Sequence, residues 1–378
     1  MKIKKILRMT AILLITILTF TMSVFTTYAQ TYKEIGGCLY FEFADDSYNA
    51  KAEIENYYNM TCVSPNWNIY LSEDKKEYAL EHENGNYKLV KIPDKIKGKK
   101  KTRDVSAILG SVACYEFDLN PKNKYMSLID NVVFSKDGKI LMSYAQFDDR
   151  VVYKIPDGTN VINKYAFRDC DNIKQITIPD SVIEIQRHPF SMGSLNEINV
   201  PPLVEVLDDT FLYCNNLEKV SIPKNSKLKK IDNGTFRETK ISELTLPNFE
   251  VEISNLAFGK KEIAEKVKLK SYVKPNVSFE CDNNVCNLKW DNIANASYYE
   301  VYQKKSDGSY KILKTVKGSS IKINGLKNDK EYTFAVKAVA KIKATPYNQD
   351  NYIVGFSDLP EYYTIEGTIS DDVTVVGK

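Results

Sequence analysis

Histidine, the side chain that most often transfers protons near neutral pH, occurs only twice in this sequence. His82 lies in a stretch without clear periodicity, and His188 stands directly before Pro189. A Ser-His-Asp or Cys-His site needs a histidine oriented by a third group, and the residues around neither histidine supply one. Two histidines cannot supply several ligands to a catalytic zinc ion, and no paired Cys-x-x-Cys or phosphate-binding loop occurs. The residue types therefore predict no catalytic residue, no metal site and no cofactor.

Adjacent carboxylates are the remaining candidates for acid–base chemistry. Asp148 and Asp149 form one such pair, and Asp208 and Asp209 form another. A glycoside hydrolase needs two carboxyl groups about 5–10 Å apart across a cleft, whereas neighbouring acids on a turn are usually solvated. We therefore predict that the protein is not an enzyme, with calcium binding at acidic turns as an alternative use of these residues.

The first 29 residues have the features of a secretory signal peptide. An apolar run over residues 12–20 is followed by a cleavage site after Ala29, and it is preceded by four basic residues, Lys2, Lys4, Lys5 and Arg8. A membrane anchor is the alternative, which the threonines within the run disfavour. Cleavage removes four positive charges and no negative ones, so the net charge falls from +3 to −1. We expect a secreted, extracellular protein, either released or associated with the cell surface, and we expect no nucleic acid partner.

Seven cysteines in an exported chain allow disulfides but cannot all pair. Cys281 and Cys286 flank a plausible tight turn between two strands, so we predict a disulfide between them. Cys38 and Cys62 form a weaker candidate pair. Cys170 and Cys214 occupy equivalent positions two repeats apart, at an expected separation of about 10 Å, which is too far for a disulfide. These two should be buried thiols.

The elements that position these residues can be inferred from a sequence repeat that occurs five times between residues 151 and 270. Each copy has an aliphatic residue before Pro, a second aliphatic residue, and, five positions after that, a Phe. Successive phenylalanines are 23, 21, 25 and 22 residues apart, and they are Phe167, Phe190, Phe211, Phe236 and Phe258. A period in the low twenties predicts a solenoid, in which each unit buries its apolar side against its neighbours. The five rings should stack as a spine.

Each repeat also contains a short strand that ends at its Pro. In the copy with Ile176, Thr177 and Ile178, period-two alternation points two side chains inward and one outward. The outward polar positions of successive copies should form a ladder on one face. We predict that this ladder binds a ligand through Gln175, Thr177, Glu197, Asn199, Lys219, Ser221, Glu243 and Thr245. The set lacks aromatic anchors, so we expect weak or multivalent recognition.

The chain on either side of the repeats has a different character. Residues 30–90 should cap the solenoid, or else form a small separate domain. Residues 132–134 and 140–144 flank an Asp-Gly turn and predict a β-hairpin. Seven short alternating strands over residues 275–366 predict an antiparallel β-sandwich whose core includes Trp290.

Two resemblances follow from these patterns. The phrase Ile-Pro, turn, aliphatic, Ala-Phe, then Leu-x-x-Ile-x-Ile-Pro resembles the bacterial BspA-type leucine-rich repeat family, although Pro189, Thr210 and Thr235 replace the usual Ala. The spacing of Trp290 and Tyr332 resembles a fibronectin type III domain, with Tyr332 at the tyrosine-corner position. The repeat resemblance implies a surface-exposed or secreted bacterial protein that adheres to host molecules or other cells.

The predicted fold class is mainly β, a leucine-rich repeat solenoid followed by a fibronectin type III-like sandwich. Its expected segments are a signal peptide (1–29), a capping region (30–90), the solenoid (91–272), the sandwich (275–366) and a tail (367–378). The predicted function is non-enzymatic adhesion or binding to an extracellular protein or host-surface molecule. A structural spacer or assembly module is the alternative, followed by an accessory role in extracellular glycan degradation.

Overall fold

The computed structural model describes residues 114–123, 126–347 and 356–377, together with the backbone of seven short strands before residue 114. The predicted signal peptide and the suggested Cys38–Cys62 pair lie outside the residues whose side chains are described. The chain divides into two compact units, which are described separately. The first unit contains residues 1–145 and 348–356, and the second contains 146–347 and 357–378.

The described part of the first unit contains short β-strands. They are β1 (Lys33–Ile35), β2 (Cys38–Tyr40), β3 (Trp67–Leu71), β4 (Tyr78–His82), β5 (Tyr87–Ile92), β6 (Lys95–Lys97), β7 (Thr102–Asp104), β8 (Cys114–Leu119), β9 (Met126–Ile129), β10 (Val132–Ser135) and β11 (Ile140–Tyr144). β5 and β8 pair in parallel, and β9, β10 and β11 form an antiparallel meander. The predicted hairpin around the Asp-Gly turn is confirmed as β10 and β11. Gly138 has φ +72° in this turn, a conformation that a glycine adopts without steric cost.

The second unit begins with a solenoid of parallel strands. Its elements are β12 (Val152–Lys154), β13 (Val161–Ile162), β14 (Gln175–Thr177), β15 (Glu184–Ile185), β16 (Glu197–Asn199), β17 (Val206–Asp208), β18 (Lys219–Ser221), β19 (Lys230–Asp232), β20 (Glu243–Leu246), β21 (Glu252–Ile253), a short helix α1 (Lys261–Ala264) and β22 (Lys268–Ser271). β12, β14, β16 and β18 form one parallel sheet on one side of the coil. β13 pairs in parallel with β15, and β17, β19 and β21 form a separate parallel sheet. As predicted, Ile176 and Ile178 are buried and Thr177 between them is exposed.

The phenylalanine of each repeat packs on the phenylalanine of the next, as predicted. Ring centroids from Phe167 to Phe258 are 5.4, 5.7, 5.6 and 5.4 Å apart in order, and neighbouring planes differ by 12–23°. All five rings are at most 2 % exposed. Tyr153 continues the spine at its first end and Tyr363, from the sandwich, covers its last ring edge-on. Stacked aromatic pairs contribute about 0.5–1.5 kcal/mol each beyond their buried area, so the spine is a main source of the solenoid's stability.

The loops around Phe167, Phe190, Phe211 and Phe236 contain left-handed backbone at non-glycine residues. Three of these residues stand two positions before their phenylalanine. They are Tyr165 (φ +60°), His188 (φ +56°) and Asp209 (φ +47°). Two positions after the ring, the left-handed residues are Asp169, Met192, Tyr213 and Glu238. Few non-glycine residues adopt this conformation, although Asp and His do so more often than most. Because no glycine marks these positions, the sequence did not predict the bends.

The sandwich completes the second unit. Its strands are β23 (Val277–Asp282), β24 (Val285–Trp290), β25 (Tyr298–Lys304), β26 (Tyr310–Val316), β27 (Ser320–Ile323), β28 (Glu331–Lys343), β29 (Tyr362–Glu366) and β30 (Val373–Val376). β23, β24 and β27 form one sheet, and β25, β26, β28, β29 and β30 belong to the other. Trp290 is buried, as expected for a core residue, and packs against Tyr299. β30 lies within the segment predicted to be a tail, and it pairs with β28.

Solenoid and sandwich are joined by a shared sheet that the sequence did not predict. β22, the last strand of the solenoid, pairs in parallel with β29, and the sheet order runs β20, β22, β29, β28, β25, β26. Gly367 ends β29 at this seam, where a Cβ atom would lie 2.8 Å from the Val273 oxygen and 2.9 Å from the Ala338 oxygen. Only glycine fits there without moving the backbone. The repeats and the sandwich therefore form one continuous structure.

Candidate functional site

The polar ladder predicted from the repeats lies on the outer face of the β12–β14–β16–β18 sheet. Gln175, Glu197 and Lys219 occupy the same level on three neighbouring strands. The Gln175 Nε2 donates a hydrogen bond to Glu197 Oε1 at 2.8 Å, and the Lys219 Nζ lies 3.6 Å from Glu197 Oε2. Exposed pairs of this kind contribute at most about 1 kcal/mol each, so these side chains can be rearranged by a ligand at little cost.

A second level of the ladder contains Thr177, Asn199 and Ser221. Thr177 and Ser221 are exposed, but the Asn199 side chain is committed to the fold. Its amide nitrogen donates to the Ile178 oxygen at 2.8 Å and its amide oxygen accepts from the Ile178 nitrogen at 3.0 Å. These bonds satisfy backbone groups at the end of β14, where Pro179 ends the strand. Asn199 is therefore a scaffold residue in this structure.

Glu243 and Thr245 lie beyond an interruption in the ladder. β18 and β20 belong to different sheets, and β20 pairs instead with β22. The Glu243 carboxylate forms an ion pair with Lys270, whose Nζ lies 2.6 Å from Glu243 Oε2. These two residues thus belong to the face that continues onto the sandwich, whereas the other predicted residues share the four-stranded sheet.

The four-stranded face is shallow. A depression on this face has a volume of about 160 Å³ and is lined by Gln175, Thr177, Glu197, Asn199 and Ser221, with the buried Ile176 and Ile198 beneath them. Pockets for small organic ligands usually measure about 300–1,000 Å³. The geometry suits contact with an extended surface and not enclosure of a small molecule.

A Ser-His-Asp group that the sequence did not predict lies in the solenoid interior. Ser191 Oγ is 3.3 Å from His188 Nδ1, and His188 Nε2 is 3.7 Å from Asp209 Oδ2. Ser191, His188 and Asp209 are 1 %, 2 % and 0 % exposed, so the hydroxyl cannot meet a substrate. Asp209 also accepts hydrogen bonds from Arg187 and from the Gly234 nitrogen, at 2.8 Å in the latter case. The arrangement therefore links adjacent turns of the coil and resembles a hydrolase triad only in composition.

The signal for this group was present in the repeat alignment. His188 and Asp209 both stand two positions before their phenylalanine, so consecutive turns of a solenoid place them side by side. Asp208, next to Asp209, lies 3.0 Å from Arg187 Nε and accepts a hydrogen bond from the Asn233 amide at 2.6 Å. Burial raises the pKa of the Asp208 carboxyl to about 7, even though Arg187 acts in the opposite direction.

Cysteine positions follow the repeat geometry. The Cys214 Sγ donates to the Phe190 oxygen at 2.9 Å, and the Cys170 Sγ lies 3.7 Å from the Arg168 oxygen. Both are buried and the two are not bonded to each other, as predicted. Burial raises the pKa of the Cys214 thiol to about 12, which makes it unreactive as a nucleophile.

In the sandwich, Cys281 and Cys286 stand opposite each other on β23 and β24 and are joined by a disulfide, with Cα atoms 4.1 Å apart. Across the part of the chain that the structure describes, no set of three or more His, Cys, Asp or Glu side chains could hold a metal ion. No helix among the described residues is long and apolar enough to cross a membrane.

Family comparisons divide the second unit in the same way. Residues 150–264 match the BspA type leucine rich repeat region in six copies, and residues 275–345 match the PBP1-like, fibronectin3-like domain. The repeat match is narrower than the predicted solenoid of residues 91–272. No curated protein matches this chain.

Several solved structures are similar to parts of the chain. The pneumococcal vaccine antigen PcpA is 18 % identical with a TM-score of 0.35, and the match covers 49 % of this chain and 51 % of the antigen. The chain thus spans about half the length of that protein. A leucine-rich repeat protein from Eubacterium ventriosum is 17 % identical (TM-score 0.30), over 46 % of this chain and 58 % of that one. A Fn3-like protein from Clostridium thermocellum is 21 % identical (TM-score 0.19), over 26 % of this chain and 86 % of that one.

Proposed function

We propose that this chain, which carries a BspA-type leucine-rich repeat region followed by a fibronectin type III-like domain, is an exported, non-enzymatic binding protein. Domains of these two kinds generally mediate protein–protein interaction. The proposed partner is an extracellular protein or host-surface molecule. The proposed contact surface is the outer face of β14, β16 and β18, which we call the ladder face, formed by Gln175, Thr177, Glu197, Lys219 and Ser221.

One observation carries this proposal: the inward and outward positions of each repeat strand have separate tasks. The inward side chains Ile176, Ile198 and Val220 are 2–8 % exposed and make the core. The outward side chains of Glu197 and Lys219 are 42 % and 69 % exposed, and their contacts are lateral. Apart from Asn199, the outward residues of the ladder can therefore change without affecting the fold, which is what a recognition surface requires.

The chemistry of the ladder face favours weak contacts repeated along the solenoid. Its side chains are polar and of both charges, and binding hot spots usually contain Trp, Tyr or Arg in well-packed pockets. A shallow polar surface gains affinity mainly through multivalency. We expect binding to a surface that presents many copies of the ligand to be far tighter than binding to one soluble copy.

The test uses the full mature chain and a triple variant of the ladder face, Gln175→Ala, Glu197→Ala and Lys219→Ala. Binding to immobilised extracellular matrix and to mucin is measured by surface plasmon resonance. We expect the triple variant to lose at least about tenfold in affinity, because hydrogen bonds to charged groups contribute about 1.5–3 kcal/mol each.

A matched control changes the same charges on another side of the solenoid. Replacing Glu205, Asn225 and Lys229 by Ala also removes one carboxylate, one amide and one ammonium group, and Lys229 pairs with Glu205 at 2.8 Å. This variant should bind as the original chain does. Equal binding by both triple variants would show that the ladder face is the wrong surface. Export is tested by whether the chain recovered from the culture medium begins at Gln30.

A spacer or assembly role is the second candidate, and the shared sheet favours it. Pairing of β22 with β29 continues the solenoid directly into the sandwich without a flexible linker. A stiff module of this kind can hold a binding region away from a surface. Self-association in analytical ultracentrifugation, without affinity for matrix or mucin, would support this role over adhesion.

A further inference from the structure

The outer face of the shared sheet forms a depression at the seam between solenoid and sandwich. It has a volume of about 740 Å³, which is within the usual range for ligand sites. We call it the seam groove. Its outward lining side chains come from β20, β22, β28 and β29 and from α1 and the segments beside it. Those that a ligand could contact include Lys268, Lys341, Glu361, Tyr362 and Thr364.

Most carboxylates of the seam groove are already neutralised. Glu243 pairs with Lys270 at 2.6 Å, and Glu366 pairs with Lys337 at 2.9 Å. Lys268 and Lys341, by contrast, form no ion pair with any described residue. Glu265 pairs with Lys261 at 4.0 Å, whereas Glu361 forms no ion pair with any described residue. Two ammonium groups and one carboxylate are thus left unpaired, so the unpaired charge of the groove is positive and favours an anionic ligand.

The two uncommitted lysines are held at a defined spacing by the sheet. Lys341 stands opposite Thr364 on the neighbouring strand. Lys268 precedes Leu269, which pairs with Ile365, so it stands at the level of Thr364 on the other side. The three residues form a row across three strands, with Thr364 between the two lysines. Strands are about 4.8 Å apart, so the backbones of the two lysines are about 10 Å apart.

An exposed aromatic ring completes the groove. Tyr362 is 47 % exposed, and the Lys341 Nζ lies 4.9 Å from its ring centroid. Of the aliphatic lining residues, Ala264, Leu269 and Pro360 are buried, and only the small side chain of Val267 is partly exposed. A peptide ligand would need apolar anchors, whereas a sugar needs one aromatic surface and several hydrogen-bonding groups.

We propose that the seam groove binds an acidic oligosaccharide, a sugar chain with carboxylate groups. Its carboxylates pair with Lys268 and Lys341, its hydroxyls bond to Thr364 and Glu361, and one ring packs on Tyr362. This inference goes beyond the ladder face, because the groove shares only Glu243 with the predicted ligand-binding residues. It assigns the junction of the two domains a ligand class of its own.

The test measures binding of the full mature chain to a short oligogalacturonate by isothermal titration calorimetry. The original chain should bind it, and affinity should fall as salt is added, because exposed charges are screened. Lys268→Ala combined with Lys341→Ala should reduce affinity by about a hundredfold, since each charged hydrogen bond accounts for about tenfold. Tyr362→Ala should reduce the affinity for oligogalacturonate by about tenfold, because the sugar ring loses the aromatic surface on which it packs.

The matched control is Lys227→Ala with Lys229→Ala, which removes the same charge from exposed positions outside the groove. It should bind oligogalacturonate as the original chain does. An equal loss in this control would overturn the proposal, since attraction would then depend only on net charge. No binding of oligogalacturonate, or equal binding of a neutral glucan oligomer, would also overturn it. Tighter binding of polyglutamate than of oligogalacturonate would identify an acidic polypeptide as the occupant and refute the sugar assignment.

Discussion

A partly buried carboxylate, that of Asp208, should make the solenoid less stable as the pH rises from about 4 to about 7. Asp208 is packed against Arg187, Asp209 and Asp232, and Asn233 donates a hydrogen bond to it. Desolvation is the largest influence and raises its pKa from 3.8 to about 7. A carboxyl whose pKa is higher in the folded than in the unfolded state binds protons preferentially when folded. Its contribution is therefore fully present below about pH 4 and is lost as the pH rises to about 7.

The size of the effect follows from the shift in pKa. A shift of about three units corresponds to about 4 kcal/mol at 1.36 kcal/mol per unit. A quarter of the Asp208 side chain, 24 %, remains exposed, so water screens part of this energy. We expect that ionisation of Asp208 costs the folded state about 2 kcal/mol.

Urea unfolding of the full mature chain at pH 5 and pH 8 measures this cost when it is compared with Asp208→Asn. The amide keeps the shape and one acceptor oxygen but does not ionise. Part of the cost is already present at pH 5, because that pH lies above the unfolded pKa of 3.8. Relative to the original chain, the variant should therefore gain about 1 kcal/mol of unfolding free energy between pH 5 and pH 8. Asp157→Asn removes a carboxylate that is 79 % exposed and should leave the pH dependence unchanged. If Asp208→Asn were less stable than the original chain at pH 8, Asp208 would be an ionised partner of Arg187 and the reasoning would be refuted.

Three further substitutions test the scaffold by chemical denaturation. Phe211→Ala leaves a cavity in the middle of the spine and should lower the free energy of unfolding by about 3–5 kcal/mol. Phe279→Ala, at a ring that is 45 % exposed, should lower it by less than about 1 kcal/mol. Equal losses would show that the spine does not stabilise the solenoid more than an exposed ring does. Tyr363→Ala uncovers the last ring of the spine and removes a 2.9 Å hydrogen bond to a buried solenoid oxygen, at an expected cost of about 3–5 kcal/mol, while Tyr363→Phe should cost only about 1 kcal/mol. Asn199→Ala should lower the free energy of unfolding by about 1–3 kcal/mol, because it leaves two backbone groups without their partner. Thr177→Ala on the same face should leave it nearly unchanged. The reverse order would show that Asn199 is available to a ligand and is not needed by the fold.

The repeat region was predictable in detail because every repeat contacts mainly its neighbours. A fixed period brings equivalent residues of successive turns together, so a phrase such as Ile176-Thr177-Ile178 determines which side chains are buried. The same rule placed the phenylalanine spine and kept Cys170 and Cys214 from pairing with each other. It would also have placed His188 beside Asp209, had the charged positions been aligned as the apolar ones were.

Side-chain hydrogen bonds to the backbone were not predictable from the pattern. Asn199 has the alternation of an outward residue, and its position in the strand does point it outward. What removes it from the ladder face is the end of β14 on the neighbouring turn, where the Ile178 backbone needs a partner. Polarity in a sequence does not distinguish a residue that serves the fold from one that faces a ligand.

By itself, the sequence determined a β-solenoid with a spine, a sandwich after it, and the polar positions between the fixed core residues. Only the tertiary structure decided that the two domains share a sheet and that a groove lies along their seam. β22 and β29 are separated by about ninety residues, and they meet through backbone hydrogen bonds. Every residue except proline offers the same backbone donor and acceptor, so such edge pairing leaves no pattern in the side chains from which it could be predicted.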